Sequence, residues 1–180
     1  MALTAHVALF RALNVGGRKA TSAELQALAA DLGLDDARTL LQSGNLIFCS
    51  ARTGAELEAE VERAFAARFG FASDVLVRTG RQWRAALAAN PHHEMAERDP
   101  SHLVVMALKS APSPDDVVTL QAAISGREIV AAVGRELFIA YPDGIGDSKL
   151  TGAVIERRLG VRGTARNWNT ATKLAAMLED

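Results

Sequence analysis

Five cations stand in or beside turn-forming stretches of this chain: Arg11, Arg18 and Lys19 early, Lys149 and Arg166 late. Guanidinium and ammonium groups next to glycine-rich backbone suit one kind of chemistry above others, the holding of a phosphate or another anion. The densest such stretch is Tyr141-Pro142-Asp143-Gly144-Ile145-Gly146-Asp147-Ser148-Lys149-Leu150, which leaves an apolar run and enters a segment of helical periodicity. Ser148 and Lys149 are expected near a helix start, where free backbone N–H groups and the helix dipole favour an anion. Gly144-x-Gly146-x-Ser148-Lys149 has the composition of a phosphate cradle but not the spacing of a Walker A loop. The plainer alternative is that the glycines make the turn, Asp147 or Ser148 caps the helix, and Lys149 is solvated.

Three further groups could serve the same purpose. Asn14, Gly16, Gly17 and Lys19 form a polar loop whose glycine pair permits backbone angles other residues avoid. Gln42, Ser43 and Asn45 either stabilise a turn or offer hydrogen bonds to a ligand. Arg166, Asn167 and Trp168 either hold an anionic, planar group, or serve structure, with Asn169 capping the last helix and Trp168 packed between layers.

Catalytic patterns are thinner. None of these groups contains a histidine, so no Ser-His or Cys-His pair is visible. Asp143 or Asp147 could hold Mg²⁺ beside a phosphate or act as a general base. His92-His93-Glu94 has no third metal ligand at a telling spacing, so no metal site is assigned and no cofactor is indicated. Cys49, the single cysteine, sits in the strand-like run Leu46-Ile47-Phe48-Cys49 and reads as a buried small hydrophobe.

The elements that must position these groups follow from hydrophobic patterning. With 49% hydrophobic and 23% charged residues, the 180-residue chain has material for a real core. Twenty basic against 21 acidic residues argue against bulk capture of nucleic acid or anionic membrane, though not against a local basic pocket. No apolar run approaches the ~20 residues of a membrane span, and Met1–His6 lacks the basic and apolar regions of a signal peptide. A cytoplasmic protein without membrane association is the expectation.

Val7–Arg11 reads as a strand, and Thr21 with Glu24 as a capping box opening a helix with Leu25, Leu28 and Leu32 inward and Gly33 at its end. Arg38–Gln42 and Leu46–Cys49 form strands about the Ser43-Gly44-Asn45 hairpin. Thr53 and Glu56 suggest a second capping box, before a helix with Leu57, Val61, Phe65 and Phe69 inward and Glu56, Glu58, Glu60 and Glu62 mostly outward. Asp74–Arg78 is a strand, and Thr79 with Gln82 caps an extra helix. After a polar, irregular Asn90–Pro100 the order repeats: strand His102–Leu108, a helix opened by Ser113-Pro114, a hairpin about Gly134, a helix of Leu150, Val154, Ile155 and Leu159, strand Gly163–Arg166, and a last helix. Gly44 and Gly134, Phe48 and Phe138, and Arg68-Phe69-Gly70 and Arg158-Leu159-Gly160 all share one 90-residue offset. Two related α+β halves, residues 1–90 and 91–180, are therefore expected, each a ferredoxin-like βαββαβ unit with an antiparallel sheet and helices on one face.

The motifs Arg11-Ala12-Leu13-Asn14-Val15-Gly16-Gly17, Gln42-Ser43-Gly44-Asn45, Tyr141–Gly146 with Ser148-Lys149-Leu150, and Thr164–Thr170 resemble those of the domain of unknown function 1697 family, over nearly the whole chain. The resemblance implies a bacterial cytosolic protein of duplicated ferredoxin-like build and brings no established activity, substrate or cofactor. His92-His93 departs from the family, which often has an aromatic and a proline after the Asn-Pro.

Strand direction in a split βαβ unit places the Asn14–Lys19 loop and the Ser43–Asn45 hairpin at one end of the first half. It places Tyr141–Lys149 and Arg166–Trp168 together at the opposite end of the second. If the halves pack with opposed polarity, the four motifs line one cleft that suits a small anionic ligand or a nucleotide. An Mg²⁺-dependent phosphate-ester enzyme, or a self-association module using an exposed sheet edge, are the rivals. RNA ranks below them, because that mode needs exposed strand aromatics.

Overall fold

A computed structural model describes residues 2–41 and 44–178. The chain divides into two compact units, Met1–Arg84 with Leu174–Asp180, and Ala85–Lys173.

The first unit runs β1 (Thr4–Phe10), α1 (Ser22–Asp31), β2 (Asp35–Thr39), β3 (Asn45–Ser50), α2 (Gly54–Phe69) and β4 (Val75–Thr79), with α3 (Gly80–Ala88) following. The sheet order is β2-β3-β1-β4 and every neighbouring pair is antiparallel. Leu25 and Leu28 of α1 and Leu57, Val61 and Phe65 of α2 pack with Ala8, Phe10, Leu46, Phe48, Val75 and Val77 from one sheet face. Helical spacing on the helices and period two on the strands converge on this layer.

In the second chain segment come α4 (His93–Arg98), β5 (Leu103–Leu108), α5 (Pro114–Ala123), β6 (Ile129–Val133), β7 (Glu136–Ala140), α6 (Gly152–Leu159), β8 (Gly163–Asn167) and α7 (Trp168–Met177). The sheet order β6-β7-β5-β8 repeats that of the first unit. Leu120, Ile155 and Leu159 from the helices meet Val104, Met106, Leu108, Leu137 and Ile139 from the sheet. The fold is α+β, a duplicated ferredoxin-like build. Gly70 and Gly160 end α2 and α6 in left-handed geometry, φ 74° and 64°, and Gly44 and Gly134 turn the two hairpins at φ 77° and 59°. The 90-residue glycine matches are thus structural. The Phe48 and Phe138 match is not: Phe48 faces the helices, whereas Phe138 alternates with Leu137 and Ile139 and points from the other face.

Local expectations hold at Thr21–Glu24, where both arms of the capping box form, and at Thr79–Gln82. Others need correction. Thr53 makes no side-chain cap, and α2 begins at Gly54 in left-handed geometry, φ 78°. The strand expected over Arg38–Gln42 lies earlier, at Asp35–Thr39, and the chain beyond it takes left-handed geometry at Leu41, φ 59°. Asn90–Pro100 is not irregular throughout; it contains α4. Asn167, not Asn169, caps α7 by accepting from the Thr170 N–H at 2.9 Å.

Two of the supposedly outward glutamates have a structural task. Glu62 Oε1 accepts from Val75 N and Glu58 Oε2 from Val77 N, each at 2.8 Å. These N–H groups belong to edge strand β4, so α2 closes an edge that would otherwise be open to another strand.

His6 is fully buried in β1 and stacks on Phe48 at 5.4 Å. Its Nδ1–H donates to Thr4 O at 2.7 Å, while Nε2 has no partner, and burial lowers its pKa. His92 is lowered for the same reason. Below the unfolded value of 6.5 the unfolded chain binds protons that the folded chain refuses, so this stability is present above that value and lost as pH falls. Thermal melts are therefore expected to drop from pH 7.5 to 5.5, above the range where the carboxylates titrate. The drop shrinks in His6→Gln and His92→Gln; an undiminished drop in both would assign it elsewhere.

Candidate ligand site in the second unit

Tyr141 continues the β7 alternation inward, and its hydroxyl donates to Leu150 O at 3.0 Å, tying together the two ends of the loop first read as an anion cradle. Burial, and then the Glu128 charge, push the phenol up to about 12, so it stays a donor at neutral pH. Inside the loop, Gly144 N–H donates to Tyr141 O at 2.9 Å, and Gly144 takes φ 89°, which requires glycine. Ser148 Oγ accepts from Leu150 N at 3.1 Å and donates to Glu128 Oε1. Arg127 grips Asp143 through two hydrogen bonds and holds its carboxyl below the usual range. The helix cap is neither Asp147 nor Ser148 but Thr151, whose hydroxyl accepts from Val154 N at 3.3 Å. The N-terminus of α6 therefore already has an acceptor.

This loop, α5 and α6 enclose a cavity of about 290 Å³. Leu120 and Ala123 of α5, Val154 of α6, and Ile124 and Leu150 form its apolar wall. Lys149 and Arg158 bring two cations, and Glu128, Asp143 and Asp147 bring carboxylates. Lys149 and Arg158 are exposed, and among the described residues neither has a hydrogen-bond or ion-pair partner. Comparing the units explains Arg158. In the first unit Arg68, 90 residues earlier, bonds Asp31, the last residue of α1, at 2.5 Å. The last residue of α5 is Ala123, so the second unit lacks that acid and has an opening there instead.

Other expected site residues are placed differently. Arg166 is buried and projects from the sheet face opposite the cavity helices, in register with Val105. Its guanidinium donates to Thr164 Oγ1 and Ala165 O at 2.8 Å, and burial pulls it down to about 10. Lys149 and Arg166 thus share an end of the second sheet but not a face. Asn167 is occupied as the α7 cap, and Trp168 is the half-buried first residue of that helix.

In the first unit the Asn14–Lys19 loop and the hairpin do share one end, where the last residue of β1 is tied to the hairpin by Phe10 N–H donating to Gly44 O at 2.9 Å. Asn14 Oδ1 accepts from Ala20 N at 3.1 Å, and Gly16 and Gly17 supply the positive φ of the turn. Arg11 Nη1 lies 4.0 Å from Asp74, and Arg18 and Lys19 are exposed. Asn45 is buried and donates to Leu40 O at 2.9 Å, a turn brace. Gln42 and Ser43 lie outside the described residues. Gly146 is exposed at the loop apex beside Asp147.

Arg158 and Glu128 belong to the site but were not among the residues expected there from sequence. The signal for Arg158 was available: an arginine repeated at the duplication offset without the repeated acid. His102 Nδ1 lies 2.6 Å from Asp99 Oδ2, and Ser101 donates to the other Asp99 oxygen at 2.8 Å. His102 stands against Gly144, behind the loop rather than in the cavity wall.

The pattern of the family described as Protein of unknown function (DUF1697) matches residues 3–138, which include α5 and Glu128 but end before the Tyr141–Leu150 loop. No curated protein matches the chain. The conserved bacterial protein SP0830 from Streptococcus pneumoniae has a similar structure, with a TM-score of 0.79 at 24% identity over 99% of this chain and 100% of that one. That likeness speaks to the fold. No helix among the described residues is long and apolar enough to cross a membrane.

Proposed function

Because the chain belongs to the DUF1697 family of proteins of unknown function, the site itself must carry the argument, and we propose that the second unit is a binding module for a small ligand bearing an anionic group, held by Lys149 and Arg158. The observation that supports this is the diverged pair: Arg68 is neutralised by Asp31, while its counterpart Arg158 faces an opening. A concave apolar wall with a few convergent charged groups is the usual form of a small-molecule site. At about 290 Å³ the cavity sits near the ~300 Å³ lower bound of such sites, which favours a ligand smaller than a nucleotide.

On this geometry the Mg²⁺-dependent phosphate-ester reading loses one of its two carboxylates. Asp143 is occupied by Arg127 and its proton affinity is lowered, the reverse of what a general base needs. The edge-mediated association reading meets Glu58 and Glu62 on β4.

Thermal-shift screening of small carboxylates and phosphate monoesters tests the proposal. A ligand present at a hundredfold its Kd adds roughly 2.7 kcal/mol of stability. Lys149→Ala with Arg158→Ala, both at exposed positions, is expected to leave the unliganded melt in place and remove the shift. Shifts that persist unchanged in the double variant would place the site elsewhere.

A further inference from the structure

The charges around the cavity are not one-sided. Asp143 is neutralised by Arg127, which leaves Lys149 and Arg158 against Asp147 and Glu128. Asp147 is exposed and, among the described residues, has no ion-pair partner. Glu128 accepts from Ser148 through Oε1, but Oε2 is buried against Gly126 with no hydrogen-bond partner. A buried carboxylate oxygen without a donor is costly, and a cationic group arriving nearby relieves it. Two cations and two anions around one aliphatic wall disfavour a phosphate dianion, because the carboxylates repel the second charge that the cations attract.

Resting on the reading that Lys149 and Arg158 hold an anion, we infer that the ligand is a zwitterion with an aliphatic body, an α-amino acid of the branched or straight-chain apolar class. Its carboxylate meets Lys149 and Arg158. Its ammonium lies toward Asp147 and Glu128. Its side chain covers Leu120, Leu150 and Val154.

Isothermal titration with L-leucine, 4-methylpentanoate, 3-methylbutylamine and isopentyl phosphate separates the contributions. These probes share the aliphatic body and differ in charge. L-leucine is expected to bind at least tenfold tighter than 4-methylpentanoate, a difference of about 1.4 kcal/mol. Asp147→Asn, at an exposed position, narrows that ratio while leaving 4-methylpentanoate bound as well or better. If 4-methylpentanoate or isopentyl phosphate binds as tightly as L-leucine, and Lys149→Ala with Arg158→Ala abolishes it, the zwitterion inference fails and the anion site stands. If none of the four binds, the inference fails too, and the broader screen decides the anion site. An L-leucine preference unchanged in Asp147→Asn and in Glu128→Gln also overturns it.

Discussion

Phe65→Ala is expected to lower the unfolding free energy by about 3–5 kcal/mol, among the largest effects of any single truncation in the first unit. Phe65 is fully buried at the centre of an aromatic group. Its ring lies 5.1 Å from Phe10, 4.5 Å from Phe69 and 5.3 Å from Phe71. These neighbours come from β1, from the end of α2 and from the turn after it, so no single segment can move in to fill the space. The cost therefore combines lost transfer free energy with a cavity that relaxes only in part. Urea titration measures it. Phe65→Leu keeps most of the volume and should cost about half as much or less. A loss below ~1 kcal/mol for Phe65→Ala would mean that the core collapses around the truncation.

Removing both edge-capping glutamates has the next largest expected effect. Glu58→Ala with Glu62→Ala deprives the Val75 and Val77 N–H groups of their acceptors, at about 1–3 kcal/mol each. The predicted signature is local as well as global. Hydrogen exchange should accelerate at Val75 and Val77 relative to β1, whose ladder partners remain. Glu58→Gln with Glu62→Gln keeps a carbonyl oxygen at each position and should stay near wild type, which separates the hydrogen bond from the charge. Concentration-dependent association of the alanine variant alone would follow from exposing an edge strand. If alanine and glutamine variants behave alike, the capping role is wrong.

Glu58 and Glu62 owe their role to helix docking rather than to side-chain pattern. Helical periodicity places Glu58 and Glu62 on the flank of α2, and a flank reads as solvent. Only the docking of α2 against β4 turns that flank toward unpaired N–H groups. Arg166 is the same problem in reverse. Its place at the end of β8, beside the Tyr141–Leu150 loop, follows from strand order. Its face does not, because the register with Val105 sets which side the guanidinium takes. One residue of register separates a shared site from opposite faces of a sheet.

Sequence is enough to place the βαββαβ order of both units, their duplication, and the ends of each sheet at which the special loops lie. Those features depend on local chemistry repeated along the chain: caps at Thr21 and Thr79, left-handed glycines at Gly70 and Gly160, and apolar periods of 2 and 3.6. Tertiary structure alone decided what surrounds each loop. It gave Asp143 to Arg127, Ser148 to Glu128 and the α6 cap to Thr151, and it left Lys149 beside Arg158 at an opening bounded by Ala123. The physical reason is range. Caps and turns are settled within about four residues, whereas a cavity is a space between elements, and its charges are counted only after each ion has found, or failed to find, a partner from elsewhere in the chain.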